Sequence, residues 1–123
     1  MAGLVLVIDD DVVERELLHR CLAAAGYRVL LASDGEAGLD VATRQSPDLI
    51  LLDVVMPNLN GFQTCRRLRQ QPGTAATPIV MLTSKDQDAD RYWADQVGVS
   101  AYLTKPVDVS LLLATAAELA PPP

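Results

Sequence analysis

The chain has 123 residues, half of them hydrophobic but only 4% aromatic, with a formal net charge of −6. That length suits a single domain whose core is filled by aliphatic side chains and alanine, and the hydrophobic content excludes a disordered chain. An acidic balance argues against nucleic-acid binding, which rests on neutralising phosphates with Lys and Arg. Two cysteines, Cys21 and Cys65, are too few for a disulfide framework and suit a reducing, cytoplasmic setting. The start Met1-Ala2-Gly3 lacks a basic segment, Leu4–Ile8 is too short for a signal-peptide core, and no apolar run approaches the ~18 residues of a membrane span.

Five apolar runs alternate with five helix-like stretches. The first run, Leu4–Ile8, is continuous Leu, Val and Ile, as expected of a parallel strand buried on both faces. The first helix is predicted over Val12–Ala25, burying Val13, Leu17, Leu18, Cys21 and Leu22 at helical spacing and stopping at Gly26. A second strand, Arg28–Ala32, leads through Ser33-Asp34, either of which could cap the helix Gly35–Arg44. The turn Ser46-Pro47-Asp48 precedes a third strand, Leu49–Leu52, and a helix Gly61–Gln70 that ends before Gln71-Pro72-Gly73. Strand Ile79–Leu82 is followed by helix Asp86–Val97, ending at Gly98, and strand Ala101–Leu103 by helix Asp108–Leu119, ending before Pro121-Pro122-Pro123.

This (βα)5 alternation predicts an α/β, flavodoxin-like, doubly wound parallel sheet with strand order 2-1-3-4-5, its one domain spanning residues 1–120 before a proline tail at 121–123. Right-handed crossovers then put helices two, three and four on one face and helices one and five on the other. Cys21 and Cys65 fall on opposite faces, so no disulfide joins them.

In such a sheet the ligand site lies beyond the carboxyl ends of the strands at the switch point, here between strands one and three. Strand one ends in Asp9-Asp10-Asp11 and strand three in Asp53. Carboxylates gathered there repel one another unless a hard divalent cation neutralises them, and Mg²⁺ takes oxygen ligands. Thr83-Ser84 and Lys105-Pro106 follow strands four and five at the same edge. A carboxylate can act as nucleophile and form an aspartyl phosphate, a lysine and a metal can balance its oxygens, and a hydroxyl can bond to one of them.

With these residues in order on the strand ends, together with Met56-Pro57 and Gly61, the chain resembles the receiver domain of two-component response regulators over essentially its full length. The resemblance implies that Asp53 is the phosphoacceptor. It makes Asp10 the direct Mg²⁺ ligand, with Asp9 acting partly through water and the backbone carbonyl of Val55 as a further ligand. Thr83 becomes the switch hydroxyl, Lys105 the ammonium that pairs with Asp53 and later with phosphate, and Tyr102 the aromatic switch residue. A cis peptide bond at Pro106 is also implied. The expected phosphodonor is a histidine kinase or phosphotransfer protein, and the expected output is a downstream protein bound by the surface of helix four, strand five and helix five. The positions that tune phosphate lifetime correspond to Val55 and Lys85, and Val55 offers no polar group to orient water. The stretch 85–107, from Lys85-Asp86-Gln87 to Lys105-Pro106-Val107, is similar to stand-alone receivers of chemotaxis-like pilus-motility pathways.

Other residues have plainer readings. Asp11 is read as capping helix one or facing solvent rather than as a third ligand. His19, among Glu16, Arg15 and Arg20, is read as a surface histidine, and Gly35 and Gly38 as helix-start packing, because the P-loop lysine is absent. Arg66, Arg67 and Arg69 read as a solvated face. Tyr92 and Trp93 are adjacent, so one of them is expected at the surface as a candidate partner contact. Helix five carries only Glu118 as a charge, which removes the charged pairing common in dimers of DNA-binding receivers and leaves a hydrophobic interface or close packing on helix one. Two rival functions remain: a receiver-like scaffold that is never phosphorylated, and a haloacid-dehalogenase-like phosphatase, which needs a second acid where this chain has Val55.

Overall fold

The structure, a computed structural model, describes residues 3–84 and 95–122. Five parallel strands, β1 (Leu4–Ile8), β2 (Arg28–Ala32), β3 (Leu49–Asp53), β4 (Ile79–Thr83) and β5 (Ala101–Thr104), pair in the order β2-β1-β3-β4-β5. Helices α1 (Val12–Ala24), α2 (Gly35–Gln45) and α3 (Gly61–Gln70) alternate with the first strands. A helical segment α4 is described over residues 95–97, and α5 (Val109–Leu119) closes the fold. The start of the predicted fourth helix, with Lys85, Tyr92 and Trp93, lies outside the described residues.

Every residue of β1, β3 and β4 is buried, because helices cover both faces of the sheet. On one face Leu6, Ile8, Ile50, Leu52, Ile79 and Met81 pack with Leu39 and Ala42 of α2, Cys65 and Leu68 of α3, and Val97 of α4. On the other, Val5, Val7, Leu49, Leu51, Val80 and Leu82 pack with Leu18 and Leu22 of α1 and Leu112 and Ala116 of α5. The alternation of side chains along each strand sorts the sequence into these two cores, and right-handed crossovers distribute the helices as expected. Both cysteines are free thiols.

Helix ends follow local chemistry. The Asp11 carboxylate accepts from the Val13 and Glu14 amides, Asp34 from Ala37, and Asp108 from Leu111, satisfying amide groups that have no partner within the helix. Asn60 and Gln63 form a reciprocal capping box at the start of α3. Gly26 ends α1 beyond its cap with φ +99°, a left-handed conformation that favours glycine.

Two expectations need correction. Helix α1 does not bury Val13 or Leu17, which are 78% and 54% exposed, and Cys21 is only half-buried. Two apolar stripes compete on this helix, 13-17-21 and 18-22. The second faces the sheet because the helix's first inward turn belongs to Glu14 and Arg15, which reach polar partners at the strand ends. Arg69 is not part of a solvated face. Its guanidinium donates to the carbonyls of Gly98 (2.9 Å), Thr77 (2.7 Å), Ala75 (3.2 Å) and Thr74 (3.3 Å), tying α3 to the segments before β4 and β5. Arg66 is exposed, and Arg67 pairs with Glu36 at 3.2 Å.

Candidate phosphoryl-acceptor site

Strand order brings the acidic residues together. Asp9 follows the last residue of β1 and Asp53 is the last residue of β3. Asp9, Asp10 and Asp53 each offer an oxygen, and these oxygens all lie within 4.8 Å of one another. Asp9 and Asp53 are buried, 0% and 4% exposed, whereas Asp10 is exposed. Asp11 stays at the helix cap, outside this cluster.

The backbone around Asp53 is fixed from two sides. The Val54 amide donates to Leu82 (3.0 Å), and the Gly61 amide donates to Val54 (2.9 Å). Gly61 packs so closely that a Cβ there would collide with the Asp53 carbonyl oxygen and stand 2.8 Å from the Val54 Cα, so only glycine fits without moving the end of β3. Gly35 and Gly38 are close-packing positions too: a Cβ at Gly38 would strike Ile8 Cδ1, and one at Gly35 would strike Thr64 Oγ1.

Lys105 follows β5. Its amide donates to the Thr83 carbonyl (2.7 Å), and the Lys105–Pro106 bond is cis. Its ammonium donates to Asp53 Oδ1 at 2.9 Å, lies 2.7 Å from Glu14 Oε2 and stands 3.9 Å from Asp9 Oδ2. Thr83, fully buried, ends β4 opposite Thr104, and Tyr102 lies opposite Met81 in register, half-buried against the core beneath α2 and α3. Val55 lies two residues past Asp53, 57% exposed.

Burial dominates the electrostatics. It lifts the Asp9 carboxyl from 3.8 to about 7, against the pull of the Asp11 amide and Lys105 and helped by Asp53 and Glu14. Burial likewise raises Asp53, with the hydrogen bond and charge of Lys105 pulling the other way and Glu14 and Asp10 adding to the rise. For Lys105 burial would lower the ammonium, but hydrogen bonds to Glu14 and Asp53 and the carboxylate charges outweigh it, and the net shift is upward. Asp9 Oδ1 accepts from the Asp11 amide at 2.9 Å, while Oδ2 is buried without a hydrogen-bond partner. A buried, orphaned carboxylate oxygen beside two further carboxylates fits a hard divalent cation, which takes all-oxygen ligands.

Sequence reasoning assembled Asp9, Asp10, Asp53, Thr83 and Lys105 at this edge but missed Glu14 and Arg15. Arg15 donates to the Asp9 carbonyl at 2.8 Å. The signal was present: both lie one turn before Leu18 on the stripe that ends at Leu22, and so face inward with it.

Residues 5–117 match the family described as the response regulator receiver domain. The chain belongs to that family. It is 42% identical over 111 residues to Protein PilH of Pseudomonas aeruginosa, covering 90% of this chain and 92% of PilH. It is equally identical over 114 residues to Response regulator PleD of Caulobacter vibrioides, but spans only 25% of that protein. Among solved structures, the chemotaxis protein CheY4 of Vibrio cholerae superposes with TM-score 0.92 at 33% identity, covering 97% of this chain and 99% of that one. The receiver domain of the sensor histidine kinase PA1611 of P. aeruginosa, solved with a magnesium ion coordinated in its active-site cleft, gives TM-score 0.89 at 31% identity, covering 97% and 98%.

The chain is therefore a receiver-domain signalling protein rather than a conventional enzyme, and its Asp9, Asp10, Asp53 triad is of the kind that holds Mg²⁺ in receivers. Among the described residues no helix is long and apolar enough to cross a membrane.

Proposed function

We propose that Asp53 accepts a phosphoryl group from a histidine kinase or phosphotransfer protein, in a Mg²⁺-dependent reaction. The observation that carries this reading is the Lys105 ammonium held 2.9 Å from Asp53 Oδ1, beside a buried Asp9 oxygen with no hydrogen-bond partner. An oxygen of Asp53 attacks phosphorus in line, a P–O bond forms, the P–N bond of phosphohistidine breaks, and its electron pair returns to the imidazole. Asp9, Asp10, Asp53 and the Val55 carbonyl would hold the cation, which supplies charge neutralisation at the phosphoryl oxygens. Lys105 then turns from the Asp53 carboxylate to a phosphoryl oxygen, and the Thr83 hydroxyl bonds to another.

The phosphoryl group adds about −1.5 to −2 charge. In this reading Thr83 moves inward, Tyr102 follows, and the surface of α4, β5 and α5 shifts to a state that binds a downstream protein, with Tyr92 and Trp93 as candidate contacts. Similarity to PilH across nearly all of that protein's length, with the pilus-type sequence between 85 and 107, supports a place in a chemotaxis-like pilus-motility system. Intact mass after incubation with phosphoramidate tests the reading. A single Mg²⁺-dependent phosphoryl adduct, absent from Asp53→Asn, is expected. A folded wild type with no adduct would overturn it in favour of an unphosphorylated scaffold.

A further inference from the structure

Glu14 makes the shortest contact to Lys105, yet it lies outside the acceptor constellation. Its Oε2 is 2.7 Å from the ammonium, against 2.9 Å for Asp53 Oδ1, and its side chain is 19% exposed. An ammonium has three N–H donors. Two are engaged by these carboxylates, and the Asp9 oxygen at 3.9 Å is beyond hydrogen-bond reach. Glu14 and Lys105 also line one wall of a cleft between α1 and the segment after β5, with Val13, Leu17, Pro106 and Val107. Glu14 thus stands against the one cation seen to contact Asp53 among the described residues, at the wall of this cleft.

We propose that Glu14 is a brake on phosphoryl acceptance: it draws part of the Lys105 charge away from Asp53 and repels the incoming phosphoryl dianion. This inference rests on the reading of Asp53 as the acceptor. A phosphoryl group entering the pocket meets Asp9, Asp10, Asp53 and Glu14 with Lys105 as the opposing charge. Three of those carboxylates have a use, since they gather the cation. Glu14 lies outside the cluster whose oxygens converge, so its charge repels the phosphoryl group while its contact occupies an N–H that the phosphoryl oxygens could use. The same charge favours a divalent cation nearby. Removing it therefore has opposite effects on two measurable quantities: cation affinity falls and phosphoryl acceptance rises.

The test compares wild type, Glu14→Gln and Glu14→Ala in the full chain. The rate of phosphorylation by phosphoramidate is followed by intact mass at saturating Mg²⁺, and Mg²⁺ affinity by calorimetry. Both variants are expected to be phosphorylated on the order of fourfold faster, with Mg²⁺ bound weaker by a similar factor, as a half-screened unit charge acting on a divalent ion would give. A purely positioning role would slow phosphorylation in both variants, most in Glu14→Ala, and would overturn the proposal, as would an unchanged rate. A wild type that takes no phosphoryl group sinks the acceptor reading and this inference with it. A wild type phosphorylated on Asp53, with Glu14→Gln no faster, sinks this inference alone.

Discussion

Asp9 is the residue on which the cost of building this pocket can be measured. Its carboxyl is raised from 3.8 to about 7, so ionising it at pH 7.5 in the folded protein costs about 4 kcal/mol relative to the unfolded chain. Asparagine resembles the protonated form. Its Oδ1 can keep the 2.9 Å bond from the Asp11 amide, while its amide group takes the place of an oxygen that has no hydrogen-bond partner. Burying that amide without an acceptor costs about 1–2 kcal/mol, so Asp9→Asn is expected to stabilise the metal-free protein by about 2 kcal/mol. In urea at pH 7.5 with EDTA, the midpoint should rise by about 1 M at unchanged slope. The sign with pH follows from linkage. A carboxyl raised in the folded state binds protons more tightly there, so wild-type stability grows as pH falls below 7 and is lost as pH rises through it. The mutant should lose most of this dependence, keeping the part that Asp53, also raised, contributes. Mg²⁺ should reverse the order, because at a hundredfold over its dissociation constant it adds about 2.7 kcal/mol to the wild type and much less to a variant lacking the Asp9 charge. A lower midpoint for Asp9→Asn in EDTA, at equal slope, would refute the reasoning.

Further outcomes follow from other contacts. Gly61→Ala drives a methyl into the Asp53 carbonyl; it should cost about 2 kcal/mol in denaturant unfolding and, on the proposed reading, also slow phosphorylation by moving Asp53. Arg69→Ala strands carbonyls between Thr74 and Gly98, and its melting temperature should fall on the order of 8 °C for a loss of about 2 kcal/mol. Arg69→Lys should recover less than half, since one ammonium cannot span the same carbonyls. Val55→Asn puts a polar amide where Val55 is exposed, and the phosphorylated protein should lose its phosphoryl group faster, read as a shorter half-life by intact mass. An unchanged half-life would deny that this position orients water.

Strands β1, β3 and β4 were legible because burial on both faces leaves runs of Leu, Val and Ile, and the starts of α2 and α5 because Ser33-Asp34 and Asp108 offer caps, whereas the Asn60 cap of α3 was not read from the sequence. Strand order and handedness then carried Asp9, Asp10 and Asp53 to one point without any knowledge of side-chain contacts. Strands β3 and β4 each run one residue further than their apolar stretch, since ladder hydrogen bonds continue through Asp53 and Thr83, the Val54 amide reaching Leu82. What stayed hidden depended on rotation and on backbone. Helix α1 has two apolar stripes, and periodicity alone cannot say which faces the sheet. Choosing 18-22 brings Glu14 and Arg15 inward, and choosing 13-17-21 would have left them in solvent. Arg69 binds carbonyl groups, which have no sequence signature, so its neighbours Arg66 and Arg67 made it look like part of a charged surface.

Lys105 joins the pocket to the sheet edge in two ways at once. Its side chain contacts Asp53 at 2.9 Å, and its amide donates to the Thr83 carbonyl at 2.7 Å. The Thr83 carbonyl belongs to a strand whose residues are all buried, so it offers a stiff anchor, whereas β5 is half-exposed over most of its length. A change of charge on Asp53 that pulls on the ammonium therefore works against a fixed β4 and a more yielding β5. Coupling that passes through packed and hydrogen-bonded groups goes where the resistance is least. For this chain that is the edge bearing Tyr102, which the receiver reading identifies as the residue that follows Thr83. The buried charge at Asp9 and Asp53 has the same consequence: a pocket held at an electrostatic cost responds to a cation or a phosphoryl group with more free energy than a neutral one would. The fully buried β1, β3 and β4 give the fold stability to offset that cost.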